Sequence, residues 1–323
     1  MSSSVVSVRL EPPTFDDVLA ARERIAPHLP PTALNRYPAL DELVGTEVWV
    51  KHENHQPVGA FKVRGGVNLV AQLSDDEGRR GLVTASTGNH GQSIAFAARL
   101  FGVRAIVCVP EQANPVKIAS IRGLGAEVVY HSRDFDDARE HCESLAVEHG
   151  YRYVHSGNEP HLIASVATHT LEALERQPEL DVLIVPIGGG SGAAGACIAA
   201  AELRPELRVI GVQSEAATAA YRSWKEGRVV EDTVHTSAEG LATRVGFELP
   251  QRILRDLLDD FVLVSEDEIR AAMRHMIERT RNLVEAAGAA PLAAALKLDV
   301  SRRRVGLVAS GGNVTLDQLR ALL

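Results

Sequence analysis

The stretch HQPVGAFKVRGG, His55 to Gly66, sets a lysine between an aromatic residue and an arginine, behind a Pro-Val-Gly turn and ahead of two adjacent glycines. Lysine normally keeps its ammonium in water, so Lys62 in this company needs a reason. Upstream lies EVWVKHE, a short run rich in β-branched residues; from about Gly59 to Leu73 the apolar residues fall at helical spacing. The lysine therefore sits where a strand hands over to a helix. The same alternation continues through GLVTAS and a helix from Gly91, AIVCVP and a helix from Pro115, AEVVY, and DVLIVPIGGG with a helix over Gly192 to Leu203. It ends with RVIGVQ, FVLVSEDE, where Ser265 and Glu268 have capping-box spacing, and RVGLVAS. Nearly continuous apolar strands separated by helices predict an α/β fold of parallel strands with helices on both faces.

At 323 residues, 45% hydrophobic, the chain is long enough for one large domain or two closely associated ones. A formal net charge of -8, with no basic patch, argues against nucleic acid and membrane surfaces as partners. The opening MSSSVVSVRLEPPTFDD lacks a basic start followed by an apolar core, and no apolar run reaches bilayer-spanning length, so a cytoplasmic location is expected. The first dozen residues are expected to be mobile. Cys108, Cys142 and Cys197 are odd in number and outside any CxxC pattern, which predicts reduced, packed thiols.

In open α/β sheets ligands bind beyond the carboxyl ends of strands. After GLVTA comes Ser86-Thr87-Gly88-Asn89-His90-Gly91, where small side chains and free amides at a helix start suit a carboxylate. After DVLIVP comes Gly188-Gly189-Gly190-Ser191-Gly192, whose missing side chains let amides approach a phosphate. After RVGLVA comes Ser310-Gly311-Gly312-Asn313, and the lysine segment follows the first predicted strand. Any one of these turns reads as a tight connection, and Lys62 alone as a solvated helix lysine. A lysine, a phosphate cradle and an anion loop converging on one crevice are the parts that hold pyridoxal 5'-phosphate as a Schiff base.

The combined set resembles the serine/threonine dehydratase and serine racemase group of the fold-type II pyridoxal-phosphate enzymes, from Thr14 onward. By that resemblance Lys62 carries the cofactor, Phe61 packs beside its ring and Asn89 binds its phenolic oxygen. Gly188, Gly189, Gly190, Ser191 and Gly192 hold the phosphate, Ser310 meets the pyridine nitrogen, and Glu285 in NLVEAAGAAP lies near the ring. Ser86, Thr87, Gly88, Asn89, His90 and Gly157 line the substrate, a small-molecule amino acid. The fold implied is tryptophan synthase beta-like: α/β, two open, twisted, mostly parallel sheets covered by helices, with a large domain from residues 1–81 and 158–323 and a small domain, 82–157, closing over substrate in a homodimer.

A serine hydroxyl at the pyridine nitrogen is a poorer proton source than a carboxylate, so the ring is expected to be a modest electron sink. That favours α,β-elimination over transamination. The expected reaction converts a 3-hydroxy L-amino acid such as threonine or serine to a 2-oxo acid and ammonia, with Lys62 as the base. Thr87 stands where the racemases of the group carry a serine that serves the opposite face, so racemisation is an alternative. A second is β-replacement. A third, non-enzymatic one takes GGGSG as a dinucleotide fingerprint; it is disfavoured because RVIGVQ closes on Gln213, not an acid.

Four departures from the group bear on substrate and metal. Gly157, and His55 where leucine is common, suggest either a pocket for a bulkier or more polar side chain, as in phenylserine or hydroxyaspartate, or simple repacking. Arg244 faces an anionic side chain or the surface. Glu215 matches the first acid of the group's metal site, but Tyr221, a poor ligand for a hard cation, stands at the second. Whether a metal binds is left open.

Overall fold

The computed structural model describes residues 10–322, so most of the segment expected to be mobile lies outside it. Its strands, in chain order, are β1 (Leu34–Arg36), β2 (Glu47–Lys51), β3 (Leu82–Ala85), β4 (Ala105–Val109), β5 (Glu127–Tyr130), β6 (Arg152–Tyr153), β7 (Val182–Pro186), β8 (Arg208–Ser214), β9 (Asp260–Val264) and β10 (Arg304–Val308). They form a six-stranded sheet, order β1-β2-β10-β7-β8-β9, and a four-stranded sheet, order β5-β4-β3-β6. Every neighbouring pair is parallel except β1 with β2. The eight apolar runs all become strands. β1 and β6 were not anticipated; edge strands of three and two residues carry no readable alternation.

The helix expected from about Gly59 begins at Lys62 and runs to Val70. Its predicted first turn is spent otherwise: Gly59 has φ 66° and donates to the Gln56 carbonyl, and Ala60 bridges Gly311. Ser265 and Glu268 close the expected capping box on Glu266–Thr280. Apolar residues fill both faces of each sheet. On the six-stranded sheet Val48, Ile184, Val212 and Leu307 pack with Ala287, Leu292 and Met276 on one side. On the other, Leu183, Val185 and Val209 pack with Ala193, Cys197 and Leu254. Under the four-stranded sheet, Leu82 and Val107 share a core with Ile94, Ile118, and Val63, Val67 and Val70 of the Lys62 helix.

That helix is held on three sides. Gly65 admits Leu162, whose Cδ2 lies 2.8 Å from where a Cβ would be, and Gly66 admits Ser93, whose carbonyl oxygen lies 2.5 Å from such a Cβ. The two glycines are thus contact points between helices. On the third side Arg64 is fully buried. Its Nε and Nη2 donate to the Glu53 carboxylate, both at 2.8 Å, and Nη1 and Nη2 donate to Glu172 at 2.6 and 2.8 Å. Lys51, also buried, donates to Glu172 and to the Thr32 carbonyl. Two cations and two anions therefore balance in a desolvated cluster. Burial alone would raise the Glu53 carboxyl, but the Arg64 guanidinium overrides it and holds Glu53 well below the usual carboxylate range.

Replacing Arg64 with Met leaves Glu53 buried beside a thioether, and should lower unfolding stability by about 3–5 kcal/mol, read from urea denaturation. Because Glu53 binds its proton more weakly folded than unfolded, its contribution is present above its ordinary pKa and is lost as pH falls through the acidic range. Arg64→Met should therefore show a shallower acid loss than the wild type.

Candidate active site

Lys62, the first residue of its helix, points into the crevice between the sheets. Its Nζ donates to the Ser156 carbonyl at 2.9 Å and to Ser191 Oγ at 2.8 Å. Both acceptors are neutral, so nothing offsets the burial that brings the amine down to about 8. An amine of that kind is deprotonated in useful amounts near neutral pH.

Ser191 belongs to the turn that joins β7 to the helix Ser191–Leu203. A Cβ on Gly188 would lie 2.2 Å from the Gly240 carbonyl oxygen, one on Gly189 2.3 Å from Phe247 Cε2, and one on Gly192 3.2 Å from Phe61 Cε2. Gly190 has φ 88°. The 240–247 segment packs so closely on the turn that a side chain at Gly188 or Gly189 would clash, while Phe61 approaches Gly192 less tightly. The first amides of the helix have no intrahelical acceptor and carry its positive dipole end. A phosphate suits them.

Phe61 donates its backbone N–H to the Ser310 carbonyl at 3.0 Å, which ties the lysine segment to the end of β10. Ser310 itself is buried. Asn89 opens the helix Asn89–Phe101. Its Nδ2 donates to Glu285 Oε1 at 2.8 Å and its Oδ1 accepts from Asn313 Nδ2 at 2.7 Å. Both Asn89 atoms are thus fixed, and its amide orientation with them. Burial pushes the Glu285 carboxyl up to about 7, against the opposing Asn89 hydrogen bond. Ser86 accepts the Gly88 N–H at 3.2 Å, shaping the loop on which Thr87 is half-buried.

The structure brings Lys62 to Ser191, Phe61 to Ser310, and Asn89 to Glu285, whose own N–H donates to the Gly311 carbonyl next to Ser310. His90 differs from its expected place: its ring turns inward, with Nε2 3.0 Å from Thr84 Oγ1, and burial holds it down to about 3. What His90 presents to the loop is backbone. The space expected at Gly157 is taken by Phe247, whose Cδ2 lies 2.3 Å from the Cβ position. His55 lies at the surface, stacked on His52 and bonded to Asn282. Neither residue enlarges the crevice. Arg244 is exposed and pairs with Asp134 and Asp136, the latter at 2.9 Å. Glu215 faces Lys297 at 3.4 Å, and Tyr221 packs edge-on against Phe261. Ser156, Asn313 and Phe247 were not anticipated as site residues. Asn313 had a signal, the SGGN turn after β10; Ser156 acts through its backbone, which sequence does not single out.

These residues fit pyridoxal phosphate: an amine with lowered proton affinity, a glycine turn at a helix start for the dianion, and an oriented amide for a ring oxygen. A family profile described as pyridoxal-phosphate dependent enzyme matches residues 25–311. The chain is 36% identical over 312 residues to an L-threonine ammonia-lyase of Thermotoga maritima, covering 96% of this chain and 78% of that protein. It is 35% identical to an L-threo-3-hydroxyaspartate ammonia-lyase of Saccharomyces cerevisiae, covering 96% of both. The structure of maize serine racemase superimposes with a TM-score of 0.92 at 31% identity, covering 96% of this chain and 97% of that one. The chain belongs to the pyridoxal-phosphate dependent enzyme family. Among the described residues no helix is long and apolar enough to cross a membrane.

Glu285 binds its proton more tightly folded than unfolded, so its contribution is complete below its ordinary value of 4.5 and is lost as pH rises through about 7. Glu285→Gln, which keeps an acceptor for Asn89, should flatten this decline, measured as the thermal midpoint of the protein across that window.

Proposed function

We propose that this chain is a pyridoxal-phosphate-dependent ammonia-lyase that removes water from a 3-hydroxy L-amino acid, releasing a 2-oxo acid and ammonia, with Lys62 as cofactor-bearing and proton-moving residue. One observation carries the assignment of Lys62. Its amine is half-buried, held only by the neutral oxygens of Ser156 and Ser191, and sits beside a glycine turn at a helix start. Bound there, the cofactor supplies an electron sink that acidifies the α-hydrogen of an amino acid.

The chain's own residues do the rest. The amine of Lys62, brought down to about 8, takes up and returns a proton near neutral pH. The loop Ser86 to Gly91, at the start of the helix Asn89–Phe101, takes the substrate carboxylate on its amides and fixes the direction of the α-hydrogen. Asn89 holds the ring oxygen, and Gly188 to Gly192 hold the phosphate. Ser310 offers the ring nitrogen a hydroxyl, a weaker proton source than a carboxylate, which weighs for elimination. The two ammonia-lyases among the relatives support this reading.

Racemisation is the second reading, favoured by Thr87, which stands where the racemases of the group carry a serine, and by the likeness to maize serine racemase. We read residues 82–157 as the part that closes over substrate and residues 1–81 and 158–323 as its base, in a cytoplasmic homodimer. Ion pairs between Arg244 and Asp134 and Asp136, and between Lys117 and Glu239, span the two. A second carboxylate on the substrate would compete with Asp134 and Asp136 for Arg244.

The test is release of 2-oxo acid and ammonia from L-threonine, L-serine, threo-3-hydroxyaspartate and 3-phenylserine, with D-isomer formation followed in parallel. Release from one of the four is expected; D-isomer without release would replace elimination by racemisation, and unchanged racemisation in Thr87→Ala would remove Thr87 as second base. Lys62→Ala should lose turnover and the visible band of the bound cofactor, and retention of both would sink its assignment. In the wild type, the rate at which cofactor-free protein captures added pyridoxal phosphate should rise with pH through about 8 as the amine loses its proton.

A further inference from the structure

Gly157 and Gly189 are glycines for a reason that their backbone does not supply. Neither is among the positive-φ residues, so other L residues suit their conformation. One ring excludes them: Phe247 Cδ2 lies 2.3 Å from the Cβ position of Gly157, and its Cε2 lies 2.3 Å from that of Gly189. The two glycines are 32 positions apart on different loops and share a single neighbour. The edge of the same ring system meets His155, centroids 4.7 Å apart at 80°. His155 Nδ1 accepts the N–H groups of Gly157 at 3.0 Å and Asn158 at 2.9 Å, and Asn158 Oδ1 accepts the N–H of Leu249 at 3.1 Å. Burial holds His155 down to about 4, so the ring stays neutral and able to accept.

The loop on one side of Phe247 carries the Ser156 carbonyl; the turn on the other carries Ser191. These are the two acceptors of Lys62. We propose that Phe247 is a positioning residue, a wedge whose ring sets the spacing between the Ser156 loop and the glycine turn and so fixes where the Lys62 amine stands above the phosphate cradle. The inference rests on the reading of Lys62 as the cofactor-bearing residue. A Phe247 that merely filled space would affect melting; a wedge also governs how the lysine holds the cofactor.

The test is a double-mutant cycle of Gly157→Ala and Phe247→Leu on the cofactor-loaded protein. It reads the dissociation constant of pyridoxal phosphate and the pH midpoint of its visible band, with the thermal midpoint of each protein recorded beside them. Gly157→Ala drives a methyl into the ring, and should weaken cofactor binding about tenfold, mid-range for residues in direct contact, and shift the band's pH midpoint. Phe247→Leu makes room for the methyl, so the double variant should recover most of that loss and move the midpoint back. Additive effects on binding, or altered melting with the pH midpoint unmoved, would overturn the wedge. Should Gly157→Ala not fold, Phe247→Leu alone decides: a shifted midpoint supports the proposal and an unshifted one refutes it. A visible band that survives Lys62→Ala would instead refute the reading of Lys62, and the wedge with it.

Discussion

The guanidinium of Arg64, enclosed by the carboxylates of Glu53 and Glu172, is the contact on which the placement of the site depends. Arg64 stands two residues after Lys62 on one helix, so the two cations leave it in different directions. One is locked by a bidentate fork into a cluster shared with Lys51 and Thr32; the other is free to reach the crevice. Desolvating two pairs of charges brings little net stability. What it confers is direction, because a planar fork between carboxylates tolerates little rotation. Gly65 and Gly66 complete the hold by letting two further helices close on the same turn.

Charge is distributed to match. Around Lys62 the partners are neutral, a carbonyl and a hydroxyl, while Glu285, bonded to Asn89, has its proton affinity raised by burial. Full charges meet one another elsewhere, in the Arg64 cluster and in pairs such as Lys117 with Glu239 and Arg244 with Asp134 and Asp136. An amine that must shed and regain its proton gains from such a setting, since a fixed carboxylate beside it would hold it charged.

Much of this was legible in the chain. Strand order of appearance, the strand-to-helix turns and the residues on them follow from apolar runs and glycine punctuation, which are local properties. Lys62, Asn89 and the Gly188 to Gly192 turn were found that way. The purpose of Gly65, Gly66 and Gly157 was not, because each answers to a side chain distant in sequence: Leu162, Ser93 and Phe247. His90 shows the converse. It follows Asn89 in the turn after β3, but the direction of its ring depends on Thr84 and the core behind it. Arg64 escaped notice beside its neighbour, although it is the more deeply buried cation; nothing local announces that Glu53 and Glu172 will enclose it.

The order β1-β2-β10-β7-β8-β9 places β10 between β2, which leads to the lysine, and β7, which leads to the Gly188 to Gly192 turn. The lysine segment and the glycine turn are therefore joined through a strand made more than two hundred residues after the first of them. On a ribosome, β3 to β6 and the helices that cover them emerge as one stretch and can pack at once, whereas the larger sheet has a gap in its middle until Arg304–Val308 appears. The nascent chain thus completes its four-stranded sheet before its six-stranded one, and the lysine segment meets its Ser310 partner only when the last strand is made.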